Sequence, residues 1–389
     1  MKKLHIINLE KMGGVERLFL QHINDDIENT NEILCINSQV GSEIEKKLAG
    51  KKVIYANRIF NRFSTRFPQV LRKFVLKHKI EKAHADVIIV WDLVPVLPAK
   101  PKRGKMIYYD HGCSWRYPKN NKTLGFFSML DGVISASWAS KRVMELRFNL
   151  PLAINVVPNR IQTPTGIHYG PKALTETLRI GTASRLVTLK GISVSLLMMQ
   201  ELIKRGHNVH LEIAGKGPDQ SLFMALTEKL QLTDYVSFSG FQDNVADFFN
   251  RIDIYMSTPV TEPFGLSCVE ALYFGVPVIF PFVDGQPEAV KDQECGFGLN
   301  PKISMEEHEK LTGIRVDFPH DVYDPIKDEL VTPKLLCHID CANAVEELLQ
   351  HGNFQRMREN AQKLTTQALN YDTFKTQFED ILTLYVASE

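Results

Sequence analysis

The chain has 389 residues, 44% hydrophobic and 23% charged, which is enough for two ordinary domains with separate cores. No apolar run approaches the ~20 residues that span a bilayer, and the start, MKKLHIINLE, runs into a strand pattern without a signal-peptide core or cleavage site. Six scattered cysteines fit a reducing cytoplasm rather than a disulfide framework, so the sequence reads as a cytoplasmic protein, soluble or peripheral on the inner face of the cytoplasmic membrane.

The first half alternates strands with helices. LHIINL, EILCIN, KVIYA, DVIIVW, KMIYYD, GVISAS and INVVPN read as strands, and VERLFLQHI as the first helix. Gly13 and Gly14 follow the first strand and open that helix. Glycine there lets the backbone approach a ligand, and the helix N-terminus favours negative charge. Glu16 and Arg17 read as ordinary first-turn residues.

From Arg58 to Lys82 the chain is strongly basic. Phe67, Val70, Leu71, Phe74 and Ile80 recur at roughly helical spacing, with Arg66, Lys73 and Lys77 on other faces. Such a helix can lie on an anionic membrane, and a core-packed helix with a solvated basic back is the alternative. Residues 1–165 hold 27 Lys+Arg against 14 Asp+Glu, a net of +13; the remainder holds 19 against 31, a net of −12. A split this wide points to an anionic partner for the first half, met through Arg66, Arg72, Lys73 and Lys77. No nucleic-acid recognition module accompanies the charge, so nucleic acid is not an expected partner. His111 and Gly112 end the strand KMIYYD, which presents the imidazole at the strand's carboxyl end. Asp110 should point the other way along the pleat.

A polar linker from Asn159 to Thr177 leads to LRIGTAS, HLEIAG, YVSFSG and DIYMS, strands alternating with the helices ISVSLLMMQELIKRG, QSLFMALTEKL and VADFFNRI. Apolar strands alternating with helices imply parallel sheets covered on both faces, with ligands beyond the carboxyl ends of the strands. The expected domains are residues 1–163 and 164–370, followed by a helix over 371–389. Arg185 and Lys190 follow the first strand of the second domain, where fixed cations can stabilise negative charge on a departing group. Gly215, Gly217 and Pro218 make a tight turn after the next strand.

In TEPFGLSCVEALYFGVPVI, Glu262 lies in a loop and Glu270 about two turns inside the helix that follows. The free backbone N–H groups from Phe264 through Gly265 and Leu266 to Ser267 make an anion site. Gly275 stops the helix. Cys337, His338 and Cys341 lack a second ligand pair and read as ordinary thiols rather than a metal site. Residues 298–334 are polar, contain several prolines and read by default as a solvated loop.

Together these motifs resemble the retaining glycosyltransferases of the GT-B fold, in particular glycosyltransferase family 4, most strongly from Leu178 to Gly298. The resemblance implies an α/β protein of two Rossmann-like domains whose parallel sheets face across a cleft. The first would bind the acceptor and the second the nucleotide sugar, with the C-terminal helix packed back on the first. The implied reaction moves a sugar from a nucleotide-diphosphate sugar, expected to be a UDP-sugar, to a saccharide or glycolipid acceptor such as lipopolysaccharide core or a capsule precursor, with retention.

The catalytic set it implies is His111 against the donor sugar, Arg185 and Lys190 on the diphosphate, and Glu262 accepting from sugar hydroxyls. Glu270 would hold the ribose, and Gly13, Gly14, Gly215, Gly217, Phe264, Gly265 and Leu266 would line the donor. Asp284 stands where many members have a glycine, and Arg160 replaces another. No Asp-x-Asp site stands out, so neither metal nor other cofactor is expected. The alternatives are a nucleotide-sugar epimerase of the same fold and a non-catalytic sugar-nucleotide-binding subunit.

Overall fold

The computed structural model describes residues 1–59, 63–64, 69–168, 170–242 and 244–387. The chain divides into two compact units, Met1–Asn159 with Asp372–Glu389, and Arg160–Tyr371. The first crossing therefore falls at Asn159, four residues ahead of the boundary expected at 163.

In unit 1, β1 (Lys2–Ile7) leads through α1 (Gly14–Asp25) to β2 (Thr30–Cys35), and α2 (Ser42–Lys47) to β3 (Val53–Tyr55). A short antiparallel pair, β4 (Arg58–Ile59) and β5 (Phe63–Ser64), precedes α3 (Gln69–Ala83). Then come β6 (Val87–Trp91), β7 (Lys105–Asp110), α4 (Asn121–Phe127), β8 (Gly132–Ser135), α5 (Trp138–Phe148) and β9 (Ile154–Val156). The strands form one parallel sheet in the order β3-β2-β1-β6-β7-β8-β9. Every residue of β6 is buried, because a parallel strand covered on both faces has no solvent side to alternate toward. Asn120 caps α4 by accepting from the Lys122 and Thr123 N–H groups, and Ser137 caps α5 through the Ser140 N–H.

Helix α3 corrects the expected apolar face. Its buried stripe is Leu76, Ile80 and Ala83, whereas Leu71 and Phe74 are 43% and 57% exposed. The spacing merged two faces: a stripe that meets the core and apolar residues that do not. Arg66 and Phe67 lie outside the described residues. Arg72 donates to Asn57 Oδ1 through Nε (3.0 Å) and Nη2 (2.6 Å), and Lys77 pairs with Glu81 at 3.7 Å, while Lys73 is half-buried.

In unit 2, β10 (Leu178–Ala183), α6 (Ile192–Lys204), β11 (Val209–Ala214), α7 (Gln220–Lys229), β12 (Val236–Gly240), α8 (Val245–Arg251) and β13 (Ile254–Met256) alternate. After them come α9 (Leu266–Tyr273), β14 (Val278–Pro281), α10 (Gln286–Ala289) and β15 (Gly296–Leu299). The parallel order is β12-β11-β10-β13-β14-β15, which reverses direction between β10 and β13. Loops after those two strands diverge, and ligands of doubly wound sheets bind in the gap. Cys295–Gly298, which reads as a turn in the sequence, is largely the edge strand β15.

The 298–334 segment is not a solvated loop. It holds α11 (Met305–Thr312) and an antiparallel hairpin of β16 (Val322–Asp324) and β17 (Glu329–Val331). Ser304 Oγ accepts the Glu307 N–H at 3.1 Å to start α11, and Gly313, at φ +78°, ends it. Val283, Phe318 and Val322 form a buried cluster joined by Leu189, Met305 and Val331.

The remaining helices of unit 2 are α12 (His338–Leu349) and α13 (Asn353–Gln367). Cys337 and Cys341, at the start of α12, are buried thiols. From α13, Arg358 Nη1 donates to the carbonyls of Phe274 (2.9 Å) and Gly275 (3.2 Å), closing the C-terminal end of α9 where its dipole favours a cation. No helix among the described residues is long and apolar enough to cross a membrane.

Helix α14 (Tyr371–Ala387) belongs to unit 1 from Asp372 onward. Phe378 packs on Tyr109 and His22, with ring centroids 5.0 and 5.1 Å apart. The fully buried Lys3 ammonium donates to Asp26 Oδ2 at 2.6 Å and Glu379 Oε1 at 2.6 Å. Burial alone would raise the Asp26 carboxyl. Hydrogen bonds from Lys3, Asn29 and Asn31 overcome that and hold it well below the usual carboxylate range. Lys3→Met should lower unfolding stability by about 3–5 kcal/mol in chemical denaturation, the scale for a buried carboxylate pair left without its cation. A loss under about 1 kcal/mol would mean that apolar packing alone seats α14.

Candidate active site

In unit 2, the loops after β10, β11, β13 and β14 meet at the carboxyl ends of the strands. The loop after β10 carries Arg185, which is exposed, and Lys190, which is half-buried. The turn after β11 lies directly on that loop. A Cβ on Gly217 would sit 2.1 Å from the Leu186 carbonyl oxygen, and one on Gly215, at φ +124°, would sit 1.8 Å from that of Ser184. Asp219 extends the contact, accepting the Thr188 N–H at 2.9 Å and donating its own N–H to Leu186 O at 3.1 Å. Gly215 and Gly217 therefore have a packing reason to be glycine, independent of any ligand.

After β13 the chain carries Glu262. Lys190 Nζ donates to Glu262 Oε2 at 2.5 Å, which joins two residues of the expected catalytic set directly. Gly265, at φ +99°, turns the chain into α9, and a Cβ there would meet Gln286 Nε2 at 2.8 Å. Gln286 is buried beneath the turn and accepts from Ser257 Oγ at 3.1 Å. Phe264 is buried, and Leu266, half-buried, opens the helix. Glu270 is buried about one turn into α9, nearer its start than the two turns expected. Arg160, the other departure from the family pattern, holds its guanidinium 5.6 Å over the Phe264 ring. Burial pulls that guanidinium below its ordinary pKa.

Gly13, Gly14 and His111 belong to the corresponding strand ends of unit 1. His111 stacks on Trp91 at 5.6 Å with the rings 8° apart, and burial pushes its pKa down to about 3. Asn159 Nδ2 donates to His111 Nδ1 at 3.2 Å, which fixes the proton on Nε2. That Nε2–H is buried and has no hydrogen-bond partner. A neutral imidazole presenting an unused donor suits a hydroxyl acceptor.

Three acids lie at or beyond the carboxyl ends of strands in the same unit. Asp92, with φ +49°, accepts the His111 N–H at 2.8 Å. Asp110 accepts from Ser114 Oγ at 2.8 Å and is pushed up to about 7 by burial and by the Asp92 charge. Glu16 is also raised to about 7, chiefly by burial, and its Oε2 would lie 2.8 Å from a Cβ on Gly13. Glu16 is thus more than a first-turn residue: its carboxyl covers the Gly13 backbone. No local pattern marks Asp92, Asp219 or Gln286, whose roles depend on neighbours distant in the chain.

Residues 171–312 match the family model for glycosyl transferases group 1. The chain is similar to the gpi3 subunit of phosphatidylinositol N-acetylglucosaminyltransferase from Schizosaccharomyces pombe, at 29% identity over 63% of this chain. It spans 55% of that relative's length. It is 27% identical to the lipopolysaccharide core biosynthesis glycosyltransferase LpsD of Rhizobium meliloti, over 73% of this chain and 79% of the other. Among solved structures, that of Anabaena Alr3699/HepE in complex with UDP and glucose is similar with a TM-score of 0.71 and 17% identity, covering 99% of this chain and 100% of that one.

The contact between the two turns makes a direct test available. Gly217→Ala should lower the melting temperature and cost about 1–3 kcal/mol, because the clashing atom is backbone and cannot rotate away. Amide exchange at Thr188 should rise with it as the Asp219 bond loosens. An unchanged melt and unchanged exchange would show that the turn has room to spare.

Proposed function

We propose that this chain, which shares the GT-B fold and whose residues 171–312 match the model for glycosyl transferases group 1, transfers a sugar from a UDP-sugar to a saccharide or glycolipid acceptor, with retention and without a metal. The observation that carries this reading is the Lys190–Glu262 ion pair beside the N-terminus of α9. In the reaction, breaking the sugar–phosphate bond loads negative charge on the departing diphosphate. Arg185 and Lys190 offset that charge, Arg185 with a planar fork and Lys190 as a point charge, assisted by the N–H groups at Gly265 and Leu266.

Glu262 accepts hydrogen bonds from donor-sugar hydroxyls. Its ion pair with Lys190 couples sugar position to diphosphate position. Glu270 holds the ribose. His111 donates its Nε2–H to a sugar hydroxyl. No carboxylate is required as a nucleophile: departure and attack occur on one face of the sugar. The UDP and glucose bound by the Anabaena structure, and the lipopolysaccharide core named for the Rhizobium relative, support the donor and acceptor classes.

Donor turnover with UDP-glucose and UDP-N-acetylglucosamine, with and without acceptor glycolipid, tests the assignment. Arg185→Ala and Lys190→Ala should each lower turnover by about two to four orders of magnitude with the fold intact. Glu270→Ala should chiefly raise the Kd for UDP, and Glu262→Ala should lower kcat at saturating donor. Chelator should leave the wild-type rate unchanged. Normal turnover in both cation variants, or a rate abolished by chelator and restored by magnesium, would overturn this reading.

The first unit docks on anionic lipid through α3. Lys77 and Lys73 lie beside the exposed Phe74 on the side of α3 away from Leu71, so charge attraction and apolar insertion act together. Co-sedimentation with vesicles containing phosphatidylglycerol should collapse at high salt and in a Lys73→Glu, Lys77→Glu, Phe74→Ser variant. Equal sedimentation of wild type and variant would show that this face is merely solvated.

A further inference from the structure

Asp284 follows β14, is 1% exposed and holds a left-handed φ of +49°. It lies between two segments far apart in sequence. Its Oδ2 accepts the Thr261 hydroxyl at 2.6 Å and the Glu262 N–H at 2.9 Å. Its Oδ1 accepts the Tyr323 N–H at 2.8 Å, and its own N–H donates to the Tyr323 carbonyl at 2.8 Å. The Thr261 hydroxyl and the Glu262 and Tyr323 N–H groups are all donors, which suits a carboxylate.

The next residue continues the link. Gly285 N–H donates to Glu262 O at 3.2 Å, and a Cβ on Gly285 would lie 1.9 Å from the Pro263 carbonyl oxygen. On the far side, Tyr323 is the middle residue of β16. Val322 from that strand clusters with Val283 and Phe318, and Val331 from β17 and Leu189, the neighbour of Lys190, pack against the same cluster. The hairpin is therefore linked to the carrier loops of both members of the ion pair: to that of Glu262 through Asp284, and to that of Lys190 through the cluster that Leu189 joins.

We propose that Asp284 is a positioning residue, and that the β16–β17 hairpin acts through it to hold the Thr261–Glu262 backbone where the Glu262 carboxylate meets Lys190. This rests on the assignment of Glu262 to the donor sugar made above. It gives the 298–334 segment a task in catalysis, although none of its residues need touch substrate.

The test uses the full chain and two variants. Asp284→Gly removes the carboxylate while leaving the left-handed backbone unstrained. Asp284→Asn keeps the size and one acceptor oxygen but turns an amide toward at least one donor. Amide exchange is read in peptides covering Thr261–Glu262, Val322–Val331 and, as a control, α12. In Asp284→Gly, exchange should rise at least about tenfold in the first two peptides together and not in α12, with Asp284→Asn intermediate. With UDP-glucose and UDP-N-acetylglucosamine as donors, kcat should fall by about ten- to a hundredfold, the scale of a displaced catalytic group. The Kd for UDP should stay within about twofold, because Glu270 and the turn after β11 are untouched.

Wild-type exchange at Thr261–Glu262 in both variants would overturn the proposal. So would a rise there without one in the hairpin, or equal losses in UDP binding and kcat. Glu262→Ala, run alongside, separates the two assignments. Full turnover in Glu262→Ala sinks the role of Glu262 and with it this one. Impaired turnover there beside normal turnover in Asp284→Gly sinks the positioning role alone. Should Asp284→Gly fail to fold, exchange and kinetics in Asp284→Asn decide the matter.

Discussion

Backbone packed on backbone, with no side chain between, is the constraint on which the unit 2 site depends. Cβ atoms on Gly191, Gly217 and Gly285 would lie 1.9, 2.1 and 1.9 Å from the carbonyl oxygens of Thr258, Leu186 and Pro263. Each pair joins two different loops, so those after β10, β11, β13 and β14 form one layer. The magnitudes show which effect governs. Overpacking a site with one methyl costs about 1–3 kcal/mol, while an ion pair as open to solvent as Lys190–Glu262, at 31% and 19% exposure, contributes about 1 kcal/mol or less. The loops therefore position the ion pair, and the ion pair does not assemble the loops.

Unit 1 solves a different problem, since its strand ends gather titratable groups away from water. Trp91 Nε1 donates to His5 Nδ1 at 3.1 Å and His5 Nε2 donates to Asn31 Oδ1 at 2.7 Å, a network that requires neutral imidazole. Burial lowers His5 to about 4 and His111 to about 3. Below their ordinary pKa such histidines bind protons more readily unfolded than folded, so they make stability rise with pH across roughly 4 to 6.5. Glu16 and Asp110, raised to about 7, act in reverse: the folded state holds their protons longer, and stability falls as pH rises toward 7. The two pairs oppose each other over much of the same window. His22, lowered well below its ordinary value by burial, adds to the histidine side of that balance.

Alternation of strands and helices was legible because parallel strands covered on both faces read as unbroken apolar runs, as VIIVW does. The loops that carry Gly13, Lys190 and Gly215 were legible as strand-end turns because their glycines and charges are local in sequence. Helix α11 also carried a local signal that went unread: Ser304 and Glu307 stand three apart, and Gly313 follows the last turn, the signature of a capped helix. Prolines on either side made the segment look like loop. Asp284 was visible only as a missing glycine. Its hydrogen bonds reach back 22 and 23 residues and forward 39, and no pattern within one element encodes such a set. The face of α3 was misread because spacing cannot tell an apolar residue that meets the core from one left outside it.

The course of the chain has one more consequence. Unit 2 is inserted between residue 159 and residue 372 of unit 1, so unit 1 is a discontinuous domain. During synthesis its sheet emerges first, yet Glu379, the second acid of Lys3, and Phe378, which covers Tyr109, are made only after all of unit 2. The usual order, in which the domain nearer the N-terminus finishes first, is therefore inverted. Unit 2 can close on the ribosome while unit 1 still exposes the apolar seat of α14, which makes the half-made first domain, not the second, the natural client of chaperones.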